Sequence, residues 1–63
     1  MTLEELLFRV KIDSDAGIYF ENKFRGTVST LMSSDIFYNA YALMEVDTIA
    51  IEDVADKLKI TLI

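Results

Sequence analysis

With 63 residues, eleven acids against six bases, and neither cysteine nor histidine, the chain is limited to one small domain without disulfides or thiolate and imidazole metal ligands. The same absences exclude a cysteine nucleophile, a histidine general base and a histidine pH switch. A net charge of -5 repels phosphates and anionic headgroups, so no direct nucleic-acid or membrane binding is expected and a basic protein partner is favoured.

A hydrophobic fraction of 52% is too high for a disordered chain, so a core is expected. In "TLEELLFRV", Thr2 can cap a helix and Glu5 stands three positions later to complete a capping box, with Glu4 and Glu5 at the positive end of the dipole. Leu3, Leu6, Leu7 and Val10 follow at helical spacing, which predicts a short helix over residues 3–10 packed by one face.

"DSDAG" breaks that pattern, and "IYFENKFRGTV" changes the hydrophobic period to two. Ile18 and Phe20 fall on one strand face, Phe24, Gly26 and Val28 on one face of the next segment, and Asn22–Lys23 is placed as the tight turn between them. Gly26 marks a bulge or a close approach of the backbone to a neighbouring element.

"STLMSSDIFYNAYALM" returns to helical spacing: Ile36, Ala40 and Leu43 form one row, Phe37, Tyr41 and Met44 a second, together a broad apolar stripe. Ser34 or Asp35 can cap this helix, and Ser29 or Thr30 a shorter turn ahead of it. One helix over residues 30–43 and two pieces joined at Ser33 and Ser34 are equally compatible with the pattern.

The tail "KLKITLI" alternates, with Leu58, Ile60 and Leu62 on one side and Lys59 and Thr61 on the other, and "EVDTIAI" alternates less cleanly. These segments predict a second hairpin, residues 45–51 with 58–63. The expected fold is a single α+β domain over residues 1–63: two short helices on a small, mostly antiparallel sheet of two hairpins. Between the last two strands, Ile51, Val54, Ala55 and Leu58 also fit a short helix; that reading and a turn-rich connection both leave Glu52, Asp53 and Asp56 facing water.

Those acids do not form a calcium loop, which needs oxygen ligands at fixed offsets, a glycine at the sixth position and a glutamate at the twelfth. "DSDAG" fails similarly, because counting from Asp13 the sixth position is Ile18 and the twelfth Phe24. No metal site or cofactor is expected. Ser29, Ser33 and Ser34 lack an activating base and read as caps, so no catalytic residue is assigned and no enzymatic activity is expected. Tyr19 lies opposite Phe20 on its strand and Tyr38 beside the helical stripe, where a tyrosine can bury area while keeping a hydroxyl partner. Tyr19, Tyr38, Glu52, Asp53 and Asp56 are therefore the candidate protein-binding residues, whereas Phe20, Phe24, Phe37 and Tyr41 read as core cover.

No apolar run approaches the roughly 20 residues of a membrane helix, and the first ten residues carry acids where a signal peptide carries bases. The expected location is the cytoplasm. A small core beside a sheet edge predicts self-association, most simply a homodimer.

Taken in order, "MTLEELLFRV", the "IYFENKFRGTVSTL" hairpin and the final "VDTIAIEDVADKLKITLI" resemble a diffuse group of small acidic proteins of phages and prophages of Gram-positive bacteria. The resemblance rests on element order and hydrophobic rhythm and transfers no functional residue. It implies a viral accessory protein acting by protein binding, some such proteins being inhibitors of host defence or of nucleic-acid enzymes. A structural or assembly component of a phage particle is the alternative. A further alternative is an acidic nucleic-acid mimic, because residues 31–63 hold six acids and two bases, net -4, against five acids and four bases, net -1, in residues 1–30.

Overall fold

A computed structural model describes residues 1–52 and 56–63. The order is α1 (Leu3–Arg9), β1 (Gly17–Phe20), β2 (Lys23–Thr27), α2 (Val28–Ser33), α3 (Asp35–Tyr41), β3 (Val46–Glu52) and β4 (Lys57–Leu62). The fold is α+β, as the hydrophobic periods predict, with three helices among the described residues in place of two.

Helix α1 starts as its sequence dictates. The Glu5 N–H donates to the Thr2 hydroxyl at 3.2 Å, and the Thr2 N–H donates back to Glu5 Oε1 at 3.0 Å, which satisfies two of the otherwise orphaned donors. Leu3 and Leu6 are buried and Leu7 half-buried, whereas Val10 is the C-cap and exposed rather than a fourth member of the packed face.

The first hairpin turns one residue earlier than expected. Phe20 pairs with Lys23, so Glu21 and Asn22 form the loop, at φ of 56° and 63°. Two left-handed residues give the mirror-image turn whose twist matches the flanking strands. In β2 a bulge then overrides the alternation. Ile18 pairs with Gly26 and Tyr19 with Phe24, which leaves Arg25 as the extra residue. Phe24 and Gly26 therefore lie on opposite faces, not the same one: Gly26 joins Ile18 on the packed side and Phe24 joins Tyr19 on the other. Val28 is not in the strand at all; it opens α2, capped by the Thr27 hydroxyl.

Helices α2 and α3 are separate pieces. Ser34, with an extended backbone, ends one, and its side chain accepts from the Phe37 N–H to begin the other. Only one of the two predicted rows packs inward. Phe37, Tyr41 and Met44 lie against the core together with Tyr38, while Ile36 and Leu43 are 85% and 73% exposed.

The four strands form one sheet in the order β2-β1-β4-β3. Both hairpins are antiparallel, and β1 and β4 join them as a central parallel pair, Ile18 beside Ile60 and Phe20 beside Leu62. Of the alternative helix from Ile51 to Leu58, the two ends are in strands, Ile51 pairing with Leu58 and Glu52 with Lys57 across β3 and β4, while Val54 and Ala55 lie outside the described residues. One sheet face meets the helices, where Leu3, Leu6, Ala16, Ile18, Val28, Leu31, Ile60 and Leu62 make the core. Burying a leucine or isoleucine contributes about 1.5–3 kcal/mol, against about 0–1 kcal/mol for an exposed ion pair such as Lys57 to Asp15. The core, not the surface charge, holds the fold together.

Candidate functional site

Among the described residues no helix covers the second face of the sheet, and the residues of that face follow from the pairing. Tyr19 on β1 stands beside Thr61 on β4, which stands beside Thr48 on β3; one row along, Gly17, Lys59 and Ala50 are neighbours, and Glu52 pairs with Lys57. The bulge adds Phe24 next to Tyr19, the two rings meeting edge to face at 5.5 Å. Gly17 makes room for them: a Cβ there would stand 3.0 Å from Tyr19 Cε1 and 3.3 Å from Phe24 Cε1. Phe24 remains 57% exposed.

Polar groups fix the tyrosine. Its hydroxyl donates to Glu52 Oε1 at 3.0 Å, crossing the width of β4, and the Lys59 ammonium lies 4.4 Å from the ring centroid. The bond to Glu52, then partial desolvation, then the carboxylate charge hold the Tyr19 hydroxyl above its ordinary pKa of 10.0. A shallow depression of about 180 Å³ opens here between Asp15, Gly17, Tyr19, Phe24 and Glu52. The arrangement is an aromatic pair with a cation on one side and an anion on the other, on a rigid sheet. It is suited to packing against another surface.

Of the five candidate residues, the structure brings Tyr19 and Glu52 together. Tyr38 belongs to the helical layer, where its hydroxyl donates to Glu4 Oε2 at 2.5 Å and borders a groove of about 400 Å³ with Glu5, Phe8 and Arg9. That bond, with desolvation and the Glu4 charge behind it, raises the Tyr38 pKa as well. Asp56 is exposed, at a left-handed φ of 53° just before β4, and Asp53 lies outside the described residues. Among the described residues no three acidic side chains converge to hold a metal ion. No helix of the described residues is long and apolar enough to cross a membrane.

Sequence reasoning missed Phe24 and Lys59. Phe24 was hidden by the bulge, which reverses its face. Lys59 was already on the polar side of its strand, but only the parallel pairing with β1 places it over Tyr19. The chain matches no family model, and neither the curated proteins nor the solved structures contain a match to it.

Proposed function

We propose that the protein is a non-catalytic accessory protein of the phage or prophage type that acts by binding another protein through its uncovered sheet face. The observation that carries this reading is the Tyr19–Phe24 pair, left solvent-accessible, supported by Gly17 and bordered by Lys59 and Glu52. Aromatic anchors with a polar rim are the usual energetic centre of a protein interface. The acidic-mimic reading has less support. Of the six acids in residues 31–63 on which it rests, Glu45 and Glu52 are already engaged by the N-terminal ammonium and Tyr19.

Affinity capture from lysate of a Gram-positive host, with the wild-type chain and the folded variants Tyr19→Ala and Phe24→Ala side by side, tests the proposal. A stoichiometric partner that both substitutions abolish is the expected result. A partner retained equally by both variants overturns the assignment of this face, and recovery of phage structural proteins alone redirects it to an assembly role.

A further inference from the structure

The two edges of the sheet are built differently. The β2 edge carries Lys23, Arg25 and a bulge, devices that keep an edge strand from recruiting another chain. The β3 edge, "VDTIAIE", has seven residues and contains no proline, lysine or arginine. From Asp47 to Ile51 every residue is exposed, including Ile49 at 46% and Ile51 at 65%.

Hydrogen bonding shows which main-chain groups are free. The Ile63 N–H donates to the Glu45 carbonyl at 3.0 Å, so Val46 and Leu62 share no main-chain bond and the Val46 N–H turns outward, where it donates to the Met1 carbonyl at 2.8 Å. Residues Met1 and Thr2 therefore cover the edge only as far as Val46. Beyond the irregularity between Val46 and Thr48, the same alternation turns the N–H and C=O of Ile49 and Ile51 away from β4. Among the described residues nothing pairs with them. Their side chains stand on the helix-facing side, beside Ile60 and Leu58.

We infer that β3 is a strand-addition site for an extended, base-flanked apolar segment of another protein. Main-chain bonds to Ile49 and Ile51 would supply the pairing, their side chains the apolar contact, and Asp47 and Glu52 the attraction for a lysine or arginine at each end. Charge decides against a second copy as the occupant. The strand has an acid near each end and no base, so parallel in-register self-pairing sets Asp47 beside Asp47 and Glu52 beside Glu52, and in either direction a second copy, itself carrying -5, supplies no base to meet them. The inference shares with the proposed function the premise that the partner is a protein and one border residue, Glu52; the pairing groups themselves, on Ile49 and Ile51, belong to the β3 edge.

The test is an amide-resolved NMR titration of the whole chain with a blocked synthetic peptide of alternating valine and threonine flanked by lysines. Shifts centred on the Ile49 and Ile51 amides that weaken with added salt are expected. A glutamate-flanked analogue, and one N-methylated on the pairing side, should each bind about tenfold more weakly or worse. The folded variant Ile51→Pro, which removes an outward-facing donor, should lose binding more completely than Ile51→Thr, which keeps it. Shifts confined to the Tyr19–Phe24 face, equal binding of the N-methylated peptide, or a dimer by sedimentation that the peptide does not displace would each overturn the assignment. Because the titration needs no lysate partner, its failure leaves the Tyr19 capture result standing, and the converse also holds.

Discussion

Tyr19 and Glu52 are joined by a 3.0 Å hydrogen bond across the strand that separates them, so the side chains of the second and sixth structural segments, β1 and β3, are tied over β4. The bond favours the neutral phenol. Its contribution to stability is complete below the ordinary tyrosine pKa of 10.0 and is lost as pH rises through the raised folded value. Ring-carbon NMR titration should show Tyr19 ionising later than a free tyrosine in the wild-type chain. In Glu52→Ala it should return towards 10.0, and an unchanged midpoint would sink this account of the shift.

At the acid end the sign reverses. Glu5 is held below its ordinary 4.5, first by the Thr2 N–H and then by the Thr2 hydroxyl, so its contribution is present above 4.5 and lost as pH falls through the folded value. Urea unfolding followed from neutral to acidic pH should show a decline that is shallower in Glu5→Gln. Thr2→Ala, which removes the cap itself, should cost about 1 kcal/mol at neutral pH.

Gly26 has no tolerated substitute. Its φ is 156°, and a Cβ would stand 2.9 Å from Phe37 Cε2. Gly26→Ala therefore combines backbone strain with an overpacked ring and should destabilise by about 2–4 kcal/mol. Adding Phe37→Leu should recover only part of that loss, because the ring clash is relieved while the backbone strain stays. Full recovery would show that the dihedral costs nothing.

The two rows of α3 should separate cleanly in denaturant experiments. Phe37→Ala removes a ring packed at 4.8 Å against Tyr41 and should cost about 2–3 kcal/mol. Ile36→Ser changes an exposed residue and should stay within about 0.5 kcal/mol. Equal losses at both positions would mean that Ile36 is covered in solution.

Legibility in the sequence followed the range of the interactions. Thr2 and Glu5 are three residues apart, so the capping box could be read directly, and the alternation of Leu58, Ile60 and Leu62 identified a strand without reference to anything distant. The hairpin turn was displaced because Glu21 shares the left-handed conformation with Asn22, a choice made by strand twist rather than by the intrinsic preference of glutamate. Phe24 was placed on the wrong face because one inserted residue, Arg25, reverses a period of two. Which row of α3 turns inward depends on where the sheet lies, and Ile36 is as apolar as Phe37. The candidate site was legible only in halves: Tyr19 and Glu52 were each singled out, but their meeting depends on a parallel pairing between segments that have no local reason to find one another.

That pairing also governs how the chain acquires its structure. Each hairpin closes a short loop and can form early, whereas β1 meets β4 only after the long intervening stretch has been drawn together, and closing a long loop is the slow step in a small domain. Ile18 and Ile60, the two most central side chains of the sheet, come into contact in that same step. Collapse of the core and docking of the hairpins are consequently one event: neither hairpin has a packed interior of its own to persist with, and refolding should follow a single exponential whose rate is set by the encounter of β1 with β4.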